Sequence, residues 1–185
     1  MRSAGCGWTW TRTRCRAVDP WSIRWAGASD ARALAELRYR FREEMGQASE
    51  DREAFLARAT AWMAERLADD GAWRALIAEA NGQPIGCGWL QLIEKVPNPG
   101  PEEELHGYIT SLYVDPGWRG AGLGAALVET LVTACREAGA DAIVLWPTER
   151  SRSLYERRGF AAPADLLELQ VGTGRSPRGV TQTAG

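Results

Sequence analysis

Apolar residues recur at two different periods along this chain, and the alternation between the periods outlines an α/β fold. Residues 22–26 read as a short first strand. Ser29 is placed to cap a following helix, with Asp30 adding negative charge to its first turn. Leu34, Leu37, Phe41 and Met45 then recur at helical spacing until Gly46 stops them. A second helix begins near 49–51 and holds Phe55, Ala59, Trp62, Met63 and Leu67 on one side before Gly71. Both stripes read as core packing rather than as ligand contacts.

Residues 73–80 read as a strand, Asn81-Gly82 as a tight hairpin turn and 85–93 as the returning strand. Pro97, Pro99, Pro101 and three consecutive acids make 95–104 a loop. Residues 105–114 form another strand, ended by Asp115-Pro116-Gly117. A long helix over 123–138 turns Leu127, Val128, Leu131, Val132 and Cys135 inward, and 142–146 is the next strand. A short helix over 151–158 stops at Gly159, and 166–171 reads as a last strand. This order predicts a single α/β domain with a mixed sheet, antiparallel in its first half and β-α-β in its second. The domain is expected to span 21–171, with 1–20 a disordered extension and 172–185 a disordered tail.

Composition excludes several classes. Of 185 residues, 45% are hydrophobic and 25% charged, which is globular rather than disordered. No apolar run approaches the roughly 18 residues of a membrane helix, so no membrane partner is expected. The six arginines of 1–16 and 172–185 leave 16 bases against all 24 acids in residues 17–171, a net of −8. An acidic body argues against a nucleic-acid partner. Cys6, Cys15, Cys87 and Cys135 form no C-x-x-C pair, and His106 is the one histidine, so no metal site is expected. Without a disulfide framework or an apolar leader the default location is cytoplasmic. Of the nine tryptophans, Trp8 and Trp10 fall in the basic extension, which fits start-site choice better than a nucleic-acid-binding arm.

The chemistry concentrates where the strand ending Leu112-Tyr113-Val114 meets Arg119-Gly120-Ala121-Gly122-Leu123-Gly124-Ala125. A strand that enters a glycine-rich turn and then a helix leaves the first helical N–H groups unpaired at the positive end of the dipole. Glycines let a phosphate approach that backbone. A Walker pattern is excluded, since no lysine follows Gly124 and Lys95 is the one lysine. Gly120 to Ala125 match G-x-G-x-x-[GA], but a Rossmann oxidoreductase needs that motif after a first strand and an acid after the second. Here about 60 residues remain, and 142–146 runs into Trp146-Pro147.

The other match is R-x-x-G-x-G at Arg119, Gly122 and Gly124, which resembles the pyrophosphate-binding motif of the GNAT N-acetyltransferase superfamily. Leu112-Tyr113-Val114-Asp115-Pro116 is similar to that family's fourth strand and its exit, and Leu154-Tyr155-Glu156-Arg157-Arg158-Gly159-Phe160 to its late L-Y-x-x-x-G-F signature. The likeness covers about 22–171. It implies acetyl-CoA as co-substrate, bound where strands four and five splay apart. The pantetheine arm would pair with the backbone of Leu112, Tyr113 and Val114, and the pyrophosphate would sit on the amides of Arg119, Gly120, Ala121, Gly122, Leu123, Gly124 and Ala125. Tyr155 falls where the family places the tyrosine that protonates the leaving thiolate; a tyrosine packed under the cleft with one structural hydrogen bond is the alternative. Thr148 stands where the family often has asparagine, and Ser151 where alanine is usual; both hydroxyls are candidates for pantetheine contact.

Some relatives carry a glutamate base inside strand four, whereas Tyr108, Ile109, Thr110 and Ser111 include no carboxylate. Glu103, Glu104 and His106, at the strand's entrance, are left as bases acting through water or as solvated loop residues. The family draws acceptor choice from loops that map to 46–51 and 95–104, whose Glu50, Asp51, Glu102, Glu103 and Glu104 favour a cationic amine. The resemblance thus implies acetyl transfer to a primary amine in a ternary complex, and leaves a homodimer open. A non-catalytic acyl-CoA-binding module on the same fold is the alternative.

Overall fold

A computed structural model describes residues 20–69, 71–101, 104–164, 166–169 and 171. The expected extension over 1–19 and the tail from 172 lie outside these residues, as do Cys6, Cys15, Glu102 and Glu103. The described residues fall into two compact units that divide after Trp146. The first holds β1 (Ser22–Trp25), α1 (Ala31–Glu44), α2 (Arg52–Arg66), β2 (Trp73–Ala80), β3 (Gln83–Glu94), β4 (Leu105–Val114), α3 (Leu123–Glu137) and β5 (Ala142–Val144). The second holds α4 (Glu149–Glu156).

The sheet order is β1-β2-β3-β4-β5. The first four strands are antiparallel and β5 runs parallel to β4. This is the mixed sheet that the element order implied. The β2–β3 hairpin turns on Asn81 (φ 51°) and Gly82 (φ 72°), the left-handed pair that a two-residue turn of this hand needs.

Alternation along β3 sends its side chains to two helical layers. Cys87 and Trp89 join Leu34, Leu37, Leu56, Met63 and Ile77 under α1 and α2. Gly88 and Leu90 face α3, which buries Leu123, Leu127, Val128, Leu131, Ala134 and Cys135. The two cysteines are core residues as expected, fully buried and free. Trp62, Trp73 and Trp89 pack mutually, with ring centroids 5.3 to 6.1 Å apart, which accounts for three of the tryptophans.

Several local expectations are corrected. Ser29 does not cap α1; it lies in a single 3-10 turn over Ala28–Asp30. Asp30 stands at the N-cap position of α1 without a side-chain bond to that helix; its carboxylate closes the preceding turn instead, accepting from the Gly27 amide at 2.9 Å and from the Arg24 guanidinium at 2.7 and 2.8 Å. The arginine holds its carboxyl below the usual range. Met45 lies past the end of α1 and is exposed. The buried face of α2 is Leu56, Ala59 and Met63, because the Phe55 ring packs sideways on Tyr39 of α1 at 5.7 Å. The strand expected over 166–171 is absent among the described residues: Leu166, Leu167 and Leu169 have no regular structure and are exposed. Its leucines, glutamate and glutamine lack the β-branched and aromatic side chains that favour a strand before Val171.

Gly107 marks the closest approach of β4 to α3. A Cβ there would stand 2.5 Å from Cys135 Sγ and 3.5 Å from Leu90 Cδ1. Gly107→Ala is therefore expected to destabilise the fold by about 1–3 kcal/mol, the range for overpacking a core. Adding Cys135→Ala, which removes the sulfur, should recover most of the loss in a thermal melt. Equal melting temperatures for wild type and Gly107→Ala would show that the helix moves aside without cost.

Candidate functional site

Two features of β4 open its outer edge. The strand carries one extra residue, since Cys87 pairs with Tyr113 whereas Trp89 pairs with Thr110, and Ser111 takes the left-handed φ of 53° that this bulge requires. On the other side β5 meets only His106, Gly107 and Tyr108. From Ile109 to Val114 the edge has no ladder partner among the described strands. The two strands thus part as the resemblance implied. An extended amide-bearing ligand can pair with such an edge as an added strand does.

The open edge leads into the glycine turn. Pro116–Trp118 form one 3-10 turn, Gly120 and Gly122 adopt φ of 79° and 87°, and Leu123 begins α3. The first bond within α3 runs from the Ala126 amide to the Gly122 carbonyl at 3.0 Å. The amides of Leu123, Gly124 and Ala125 therefore precede any carbonyl of their own helix that could accept them. Gly122 offers no capping side chain. A Cβ on Gly120 or Gly122 would meet nothing within 4 Å, so packing inside the chain does not explain their size. Their positive φ does, and the space beside them is open to an anion at the positive end of the helix dipole.

The Arg119 side chain is held within the chain. Its Nε donates to the Val114 carbonyl at 2.8 Å, and its two terminal nitrogens clamp the Glu44 carboxylate at 2.9 and 2.5 Å. The guanidinium also lies 5.8 Å from the Tyr113 ring centroid. Together with Arg40 to Asp115 at 2.9 Å, these bonds tie the turn to α1. The side chain thus braces the turn against α1. Tyr113 is buried against Phe41, at 5.8 Å between centroids, and burial pushes its phenol up to about 12. Leu112 projects over Gly88, toward α3.

In the second unit, the Thr148 and Ser151 hydroxyls form a capping box at the start of α4. Thr148 Oγ1 accepts from the Ser151 amide at 3.3 Å, and Ser151 Oγ accepts from the Thr148 amide at 2.9 Å. A cap is thus a sufficient reason for both residues. Gly159, at φ 85°, ends the turn after α4 and returns the chain so that the Phe160 ring meets Tyr155 at 5.7 Å. The L-Y-x-x-x-G-F pattern is therefore a local unit: a helix end, a left-handed glycine and an aromatic clasp. Tyr155 is 7% exposed, and burial pushes its phenol up to about 12.

The candidate bases stand at the paired end of β4. His106 Nε2 lies 3.3 Å from Asp141 Oδ1, and Asp141 also binds Lys95. Glu104 accepts from the Asn98 amide at 2.7 Å. Neither occupies the open edge. Of the acids expected to attract a cation, Glu50 is paired with Arg58 at 2.6 Å, and Asp51 caps α2 by accepting from the Ala54 amide at 3.0 Å. Sequence reasoning missed two features. One is the bulge at Ser111, for which the sequence carries no glycine or proline signal. The other is a cleft of about 160 Å³ between the end of α1 and the start of α2, lined with arginines that are separated in sequence. No helix is long and apolar enough to cross a membrane among the described residues.

Known proteins match this geometry. The profile of the acetyltransferase (GNAT) family matches residues 32–160. A glucosamine 6-phosphate N-acetyltransferase from Trypanosoma brucei brucei is 34% identical over 93 residues, half of this chain and 61% of that protein. An aminoglycoside N(6')-acetyltransferase type 1 from Stenotrophomonas maltophilia is 29% identical over 118 residues, 64% of this chain and 69% of that protein. The chain thus spans about three fifths of the length of the trypanosomal relative. Among solved structures, a predicted acetyltransferase from Clostridium acetobutylicum with acetyl-CoA superposes with a TM-score of 0.70 at 26% identity, over 81% of this chain and 96% of that one.

Proposed function

The chain belongs to the acetyltransferase (GNAT) family, and from that premise we propose that it moves the acetyl group of acetyl-CoA to a primary amine. The observation that carries this reading is the open β4 edge that runs directly into an uncapped glycine turn. It offers amide pairing and an anion nest in series, which is the order of pantetheine and pyrophosphate along CoA. In this reading the backbone of Leu112, Tyr113 and Val114 holds the pantetheine, and the amides from Arg119 to Ala125 hold the pyrophosphate. Thr148 and Ser151 shape the start of α4 next in sequence, and their hydroxyls contact the pantetheine only where the cap leaves a lone pair over.

The reaction needs an amine that has lost its proton to solvent. Its nitrogen lone pair attacks the thioester carbon, the C–N bond forms, and the carbonyl oxygen takes the negative charge. When the carbonyl reforms, the nitrogen gives its excess proton to solvent, the C–S bond breaks and sulfur leaves with the pair. The Tyr155 hydroxyl then donates to that thiolate. Most of the acceleration comes from alignment of amine and thioester, because no carboxylate lies along Ile109–Val114 to act as a strand-four base.

That missing carboxylate is also what favours the second reading, a non-catalytic acyl-CoA-binding module. One assay separates them: release of CoA thiol from acetyl-CoA, followed with and without a panel of primary amines. Transfer predicts thiol release that rises with at least one amine and appears as an N-acetyl product. Binding of acetyl-CoA with thiol release no faster than hydrolysis for every amine supports the module. The relatives leave the acceptor's charge open, since their names specify a sugar phosphate in one case and an aminoglycoside in the other.

A further inference from the structure

The fork between β4 and β5 speaks to that charge. Tyr108 and Val144 form the last pair before the two strands part. On one face of the fork α3 leaves no room, since Gly107 stands against Cys135 and Ile109 is only 2% exposed. An acceptor therefore reaches the fork from the other face, which α1 and α2 cover further along. Strand register identifies the side chains there. Trp89 lies under the helices and pairs with Thr110. The same alternation puts Gln91, Tyr108 and Val144 in one row on that face, with Ile93 beyond them. Trp146 closes the row, its ring meeting that of Tyr108 at 5.1 Å between centroids with the planes at 78°. Ile93 and Trp146 remain 39% and 45% exposed, so this wall is open to solvent.

None of Gln91, Ile93, Tyr108, Thr110, Val144 and Trp146 carries a charge. The next side chain of β4 on this face is His106, and it is engaged with Asp141, which also binds Lys95. We propose that this wall receives the carbon body of the acceptor, with the Tyr108 ring as its principal contact, so that the substrate is an amine on an uncharged, apolar stem. The inference rests on the acetyl-transfer reading. It departs from the expectation of a cationic acceptor, which drew on Glu50 and Asp51 before Arg58 and the first turn of α2 were seen to occupy them. An apolar stem gains by burial against aromatic carbon, whereas a second charge of either sign would lose water there for no charged partner. The wall also serves the chemistry, because apolar surroundings favour the neutral amine over its ammonium. That is useful in a strand four that has no carboxylate to take the proton.

The test compares four primary amines of similar length: hexylamine, 2-phenylethylamine, 1,5-diaminopentane and 5-aminopentanoate. Thiol release should favour hexylamine or 2-phenylethylamine over both charged amines by roughly tenfold or more in kcat/KM. Tyr108→Ala should lower kcat/KM for the preferred amine about tenfold and leave acetyl-CoA affinity within about twofold of wild type. Tyr108→Phe keeps the ring and should keep the preference. Equal or better turnover of the diamine or the aminopentanoate by the wild-type protein overturns the proposal, and that comparison needs no variant to fold. So does a Tyr108→Ala protein that melts like wild type and retains the full preference. A Tyr108→Phe protein that loses the preference overturns it too, because the hydroxyl rather than the ring would then be the contact. If no amine releases thiol, the transfer reading fails on its own. The wall is then judged by calorimetry with 2-phenylethylamine added to the chain saturated with CoA. Heat of binding that Tyr108→Ala abolishes supports an apolar subsite; no heat, or heat that the variant leaves unchanged, overturns it.

Discussion

Tyr155→Phe is expected to lower kcat about a hundredfold while acetyl-CoA binds as before. Phenylalanine keeps the ring and its contact with Phe160, and removes only the hydroxyl. General acids contribute roughly 10²–10⁴-fold, and the lower end applies here for a physical reason. Burial pushes this phenol from 10.0 up to about 12, above an ordinary thiol near 8.5. The hydroxyl is therefore fully protonated at working pH, yet full transfer of its proton to sulfur is uphill. It acts chiefly as a hydrogen-bond donor to the charge that develops on sulfur. A basic limb between pH 8 and 10 in kcat would then come from another group, since the phenol holds its proton there. The same shift bears on stability. The folded pKa is raised, so the folded state binds the proton more tightly than the unfolded chain does. That stabilisation is present below pH 10 and is lost as the pH rises toward 12. Tyr155→Phe should remove its share of this alkaline loss, as pH-dependent melts would show. Unchanged kcat in the variant would assign Tyr155 to packing alone.

Gly122→Val should weaken acetyl-CoA binding about a hundredfold, through lost approach to the helix amides. The variant also forces a β-branched residue to φ 87°, at a cost of about 1–2 kcal/mol in stability. The two effects are separable because a matched control exists. Gly82 has φ 72° and likewise nothing within 4 Å of a Cβ, but it sits in the β2–β3 hairpin. Gly82→Val should therefore melt earlier by a similar amount and bind acetyl-CoA as wild type does. Calorimetric titration of both variants reads the difference. Equal affinities for the two would mean that Gly122 is there for the turn and not for the ligand.

The parts of the fold legible in the sequence are those fixed by local chemistry. Asn81-Gly82 demanded a left-handed turn, so β2 ends where the alternation suggested, and Asp115-Pro116-Gly117 likewise marked the end of β4. Gly120 and Gly122 marked the strand-to-helix junction for the same reason. What escaped depends on partners distant in sequence. The bulge at Ser111 comes from how β3 and β4 register, which no dihedral preference of serine announces. Arg119 is drawn onto Glu44 and Val114 by a fold that brings α1 beside the turn, 75 residues away from the acid. Glu50 and Asp51 looked available as acids until Arg58 and the first turn of α2 occupied them. Leucine content made 166–171 look like a strand, although a strand also needs a neighbour to pair with.

The central claim, that the β4 edge and the glycine turn hold acetyl-CoA, is tested most directly by amide NMR of the 15N-labelled chain during a titration with acetyl-CoA. The account predicts saturable shifts in the amides of Leu112, Tyr113 and Val114 and of Gly120 through Ala125, with the α1–α2 loop little changed. Shifts that saturate elsewhere while those amides stay in place would contradict it.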